Sequence, residues 1–176
     1  MRRLILTLVL LSTVANLESC KRRKKQQVDY IDEGGGQLAS IVQTGNPRTA
    51  IQLVKGFHDV ENNAWRWTAG KFTVMLRPPG NAGQKGVVLN FKFVLPETVL
   101  SKLNSVTITA TVNGKPLEPV TYKQAGPQEY KKPVPAASLS GDAVTIDFVL
   151  DKFVPAGTMD LRELGVIASS IGLEVQ

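Results

Sequence analysis

The chain has 176 residues, 43% of them apolar, enough for one domain with a core of its own. Fifteen glycines, ten prolines and the lack of long helical periodicity exclude a helical bundle. The net charge of +6 arises within the first 25 residues, because 14 Lys/Arg balance 14 Asp/Glu from Gln26 onward, so the domain lacks the basic patch that grips nucleic acid.

Residues 1–19 open with Arg2 and Arg3, run through apolar residues from Leu4 to Val14 or Ala15, and end on small and polar ones. This is the three-part layout of a secretory signal peptide, and the apolar run is too short to span a bilayer comfortably as a helix. The only cysteine follows directly, in Leu17-Glu18-Ser19-Cys20. Leu17 and the small Ser19 resemble the bacterial lipobox, in which the cysteine becomes lipidated, while Glu18 departs from it. A lone cysteine in an exported chain cannot close an internal disulfide, and lipidation accounts for its presence. The competing readings are plain cleavage nearby or an uncleaved anchor, and the basic Lys21–Lys25 run resists translocation. The expectation is an exported cell-envelope protein anchored in a membrane through an N-terminal lipid on Cys20. The outer membrane is the default, since Lys21 stands where an Asp often signals inner-membrane retention.

Residues 20–50 read as a lipidated cysteine plus a basic and Gly-rich flexible tether, marked by Gly34–Gly36 and Gly45-Asn46-Pro47. The domain is expected over 51–176. Ile51–Val54 opens a strand that stops at Gly56. Lys71–Arg77 alternates, with Phe72, Val74 and Leu76 on one face, and ends at Pro78-Pro79. Val87–Phe93 alternates in the same way, and a short helical turn is expected over Pro96–Leu103. Ser105–Val112 sets Val106, Ile108, Ala110 and Val112 against Thr107, Thr109 and Thr111, then runs into Asn113-Gly114, a strong hairpin signal. Val144–Leu150 repeats the alternation, and Glu163–Leu173 closes the chain as a final strand. Many short strands at even spacing predict an all-β, antiparallel β-sandwich of jelly-roll type with little helix.

The segments recur in a familiar order: Gly56-Phe57-His58, an acidic and Asn-rich loop, Trp65-Arg66-Trp67-Thr68, then Val112-Asn113-Gly114 and Phe153-Val154-Pro155-Ala156. The chain closes on Asp160-Leu161-Arg162-Glu163-Leu164-Gly165-Val166 and Ile171-Gly172-Leu173. Over about residues 51–173 this resembles the galactose-binding-like β-sandwich modules found beside bacterial glycosyltransferases and in exported surface-polysaccharide proteins. The resemblance implies a non-catalytic module acting on or near carbohydrate.

The catalytic inventory is thin, and no enzyme is expected. One histidine, His58, excludes a multi-His metal centre, and no serine stands in a nucleophile elbow. Asp59, Glu61, Asn62 and Asn63 could ligate a structural calcium, but Asp and Asn suit a solvated turn unaided, and that reading is preferred; no cofactor is expected. The first functional expectation is carbohydrate binding at the loop carrying His58, Asp59, Glu61, Asn62, Trp65 and Arg66, where rings stack on sugar faces and polar groups meet hydroxyls. The other is an envelope assembly protein that docks other proteins without binding sugar. Trp65 and Trp67 share one strand face and Arg66 takes the other. The expectation is therefore Trp67 in the core, Trp65 half exposed, and Arg66 toward the ligand, with Asp160 and Arg162 structural.

Overall fold

The computed structural model describes residues 37–80, 82 and 85–176; the signal segment, Cys20 and the tether up to residue 36 lie outside the described residues. Ten strands follow in chain order: β1 (Ile41–Gln43), β2 (Leu53–Glu61), β3 (Trp65–Leu76), β4 (Val87–Leu95), β5 (Val106–Val112), β6 (Lys115–Pro116), β7 (Val120–Tyr122), β8 (Gly126–Val134), β9 (Val144–Leu150) and β10 (Ile167–Val175). Among the described residues there is one α-helix, α1, which covers Glu97–Leu103 and ends on Asn104 in the left-handed region, φ 61°.

All pairings are antiparallel. One layer runs β1-β10-β4-β8, and the other runs from β6 and β7 through β5, β9 and β3 to β2. The layers are joined where β3 meets β10, at Trp67–Ile167 and Arg66–Ala168. Beyond that point β3 turns away to pair with β9, and β1 takes its place along β10. The result is an antiparallel β-sandwich of jelly-roll type, as the alternation predicts.

Facing aromatic rings fill the middle. Phe72 of β3 stacks on Phe148 of β9 with centroids 4.8 Å apart, and Phe91 from the opposite layer meets them at 5.5 and 5.0 Å. Each fully buried ring of this kind contributes about 2–3 kcal/mol through apolar burial. Tyr130 joins the cluster while its hydroxyl donates to Glu118 O at 2.9 Å, so the buried ring keeps a partner for its polar end.

The domain starts earlier than residue 51. Val42 is buried, Thr44 Oγ1 donates to Ala168 O at 2.6 Å, and the Gly45-Asn46-Pro47 turn lies inside the fold. Buried Gln52 completes the join: its amide exchanges hydrogen bonds with both Ala39 N and Ala39 O (2.9 and 3.0 Å) and donates to Met75 O at 2.7 Å. These side-chain bonds add to the backbone bonds Arg77 N to Ala39 O (3.1 Å) and Leu173 N to Ser40 O (2.8 Å), and together they hold the stretch expected to be tether on the sandwich.

The expected stop of the second strand at Gly56 is also corrected. Gly56 has φ +75° and lies in a stretch where the β2–β3 register shifts, so the chain bulges and continues to Glu61. His58, Asp59 and Glu61 are thus strand residues. The connection to β3 is the tight turn Asn62-Asn63-Ala64, with φ 52° and 53° at the two asparagines and Ala64 N donating to Glu61 O at 3.1 Å. Asparagine tolerates that conformation better than other side-chain-bearing residues, which is why two of them stand there.

Candidate functional site

The β2–β3 hairpin sorts its side chains by pairing. Glu61 lies directly opposite Trp65, so the two share a face, and Trp67 joins them two residues on. Val60 lies opposite Arg66 and shares the other face. The indoles of Trp65 and Trp67 meet edge-to-face, centroids 6.5 Å apart at 81°. Both are half-buried; Trp67 packs against the rim of the core and Trp65 is not part of that packing.

Trp67 is half-buried against the core, not inside it, and the expectation for Arg66 is revised. The buried face of β3 is the even-numbered one, carrying Thr68, Phe72, Val74 and Leu76, and the tryptophans are odd-numbered. Arg66 belongs to the buried side. Its Nε donates to Thr44 O and its Nη1 to His58 O, both at 2.8 Å, so the guanidinium clamps the end of β1 to β2.

The β9–β10 connection arrives beside the tryptophan face. Gly157 turns it back with φ +81°, and Val154 pairs with Leu164 across its neck. It is fastened to β3 at two glycines. Gly70 N donates to Glu163 Oε1 at 2.6 Å, and a Cβ on Gly70 would lie 2.2 Å from the Phe153 ring. Gly165 N donates to Thr68 O at 2.7 Å, and Thr68 Oγ1 accepts from Val166 N at 3.1 Å. Nothing larger than hydrogen fits at either position, so the connection lies flat against the strand.

That docking delivers Arg162 to Glu61. Arg162 Nη1 donates to Glu61 Oε1 at 2.9 Å, while Nε and Nη2 hold the two oxygens of Asp160 at 3.0 and 2.9 Å. The side chains of all three are about one-third exposed, at 35%, 34% and 33%. Hydrogen bonds from the Arg162 side chain, then from its backbone N–H, hold the Asp160 carboxyl at about 2, and the side-chain hydrogen bonds to Asp160 and then to Glu61 push Arg162 further up. His58 Nε2 meets the Glu163 carbonyl at 2.6 Å; since a carbonyl only accepts, this nitrogen carries the proton.

The structure therefore brings Glu61 and Trp65 together, with Trp67, Asp160 and Arg162 as residues the sequence reading left out of the site. His58 ties the hairpin to the β9–β10 connection, Asp59 and Asn62 are exposed beside it, and Arg66 faces away. Asp-x-Arg was visible in the sequence; its partner 101 residues away was not. Glu61, a candidate for ligand contact, is bonded by Arg162, and among the described residues no three His, Cys, Asp or Glu side chains converge as a metal-holding set. A separate apolar groove of about 460 Å³ beside Leu38, Ile51, Val54 and Met75 has no aromatic ring in its lining.

No protein-family model and no curated protein matches this chain. Solved structures do share similarity with it. One is a family GH115 4-O-methyl-α-glucuronidase with specificity for decorated arabinogalactans, at TM-score 0.48 and 12% identity, covering 79% of this chain and 18% of that one. Another is the CBM36-1 domain of a multidomain xylanase from the hindgut metagenome of Trinervitermes trinervoides, at 0.41 and 13%, covering 75% and 94%. A family 35 carbohydrate binding module from an environmental isolate follows at 0.40 and 16%, covering 69% and 75%. No residue role passes from these proteins to this chain.

Proposed function

We propose that this chain is a non-catalytic carbohydrate-binding module, exported and anchored in the cell envelope through a lipid on Cys20. The carrying observation is the shared face of Trp65 and Glu61, with Trp67 beside them and Glu61 held in place by Arg162. Half-exposed indoles offer apolar area to a sugar ring, and carboxylates fixed by an arginine offer preset acceptors to its hydroxyls. Preset groups lose little freedom on binding, which favours recognition by a rigid sandwich edge. The anchor rests on the sequence around Cys20 alone.

The test is a glycan array with the full chain purified in detergent. Retention of a glycan that is lost in Trp65→Ala supports the reading, and an array with no bound glycan contradicts it. For the anchor, mass spectrometry of membrane fractions should find diacylglycerol on Cys20; a chain beginning elsewhere with no lipid removes that claim. A protein-docking role in the envelope is the second reading, favoured by Leu161 and Met159, 92% and 42% exposed in the connection that carries Arg162. It predicts no bound glycan at all.

A further inference from the structure

The tryptophan face has an excess of fixed negative charge. Arg162 turns Nε, Nη1 and Nη2 toward carboxylates, so one cation answers both Glu61 and Asp160. The Asp160 carboxyl, held at about 2, stays ionised at any physiological pH. Asp59 is exposed two residues before Glu61. The cations nearby do not offset them. Arg66 lies on the opposite face with its guanidinium on two backbone carbonyls, and Lys152 reaches Leu103 O at 3.3 Å. Lys71 is exposed four residues beyond Trp67, about 13 Å along the strand, next to Gly70, whose N–H holds the Glu163 carboxylate, so those two charges offset each other there.

We propose that this face selects neutral glycans and rejects acidic ones, whether their charge is a uronate, a sulfate or a phosphate. The inference rests on the carbohydrate reading above and adds its specificity. A ligand carboxylate placed over Trp65 would meet Glu61 and Asp160, whose shared cation, Arg162, already bonds both, and like-charge contact acts against the wrong ligand without adding any contact to the right one. Sugar hydroxyls carry no such penalty and can donate to the carboxylate lone pairs that Arg162 leaves open.

The experiment takes a neutral glycan retained on the array and the same glycan after its primary hydroxyls are oxidised to carboxylates. Both are titrated into the full chain at low salt. The oxidised form should bind about tenfold more weakly or worse. The gap should narrow at about 0.5 M NaCl, where the interaction is screened, and in Asp59→Lys, which reverses one exposed charge. Equal or tighter binding of the oxidised form overturns the proposal, as does a gap insensitive to both salt and Asp59→Lys. An array that retains only acidic glycans overturns this inference and leaves carbohydrate binding standing; an array that retains none overturns both.

Discussion

Arg162 Nη1 lies 2.9 Å from Glu61 Oε1, joining the β9–β10 connection to the β2–β3 hairpin across 101 residues of chain. Because the pair is partly exposed, it adds little stability and instead fixes geometry. Arg162→Met should therefore lower the thermal midpoint only slightly while weakening glycan binding strongly, which calorimetry and an affinity measurement on the same sample would separate. Equal loss of both would make the pair a folding element.

Asp160 supplies a pH signature. Its folded value of about 2 lies below the unfolded value of about 3.9, so the unfolded state binds the proton first as pH falls. The stabilisation is fully present above about pH 4 and is lost as pH falls from there toward 2. Acid unfolding curves of wild type and Asp160→Asn should run parallel above that window and converge within it. At the alkaline end the sign reverses. Burial raises Tyr130 to about 12 and moves Tyr122 up as well, so stability falls as pH rises from about 10 toward 12. Tyr130→Phe should flatten part of that loss.

Gly70→Ala tests the fastening of the connection. The new methyl would sit 2.2 Å from the Phe153 ring, and overpacking of this kind costs about 1–3 kcal/mol. Gly80→Ala, with no atom within 4 Å of the added carbon, is the control and should change the denaturation midpoint very little.

Gln52→Leu keeps the volume but removes three hydrogen bonds to Ala39 and Met75. Ala39 O keeps the Arg77 N–H, but Ala39 N loses its acceptor, and the loss should cost about 1–3 kcal/mol in urea denaturation. Hydrogen exchange at Ala39 N should accelerate in the variant. Protection equal to wild type would mean that the join at β1 does not depend on Gln52.

Much of the sandwich was legible because alternation survives in it. The Thr-x-Thr-x-Thr face of β5, the Asn113-Gly114 turn with φ 47° and 77°, and the buried faces of β4 and β9 lie where period two puts them. β8 was missed because Pro127, Pro133 and a Lys131-Lys132 pair hide two buried residues, Tyr130 and Val134, among edge-strand chemistry. β1 is three residues long with one buried side chain, too short for any period. The site was half legible. Alternation put Trp65 and Trp67 together, but the core side had to be counted back from Phe72, and that parity assigns Arg66 inward. The Glu61–Arg162 contact depends on the closed fold, and no local pattern announces it.

Trp65 and Trp67 are the only tryptophans in the chain, so their emission reports on this face alone. Fluorescence titration of the full chain with an array-positive neutral glycan should give a saturable change, and Trp65→Ala should bind about tenfold more weakly or worse with an unaltered unfolding midpoint. Binding that leaves the emission unchanged, or that Trp65→Ala retains in full, would place the ligand elsewhere on the sandwich and contradict the site described here.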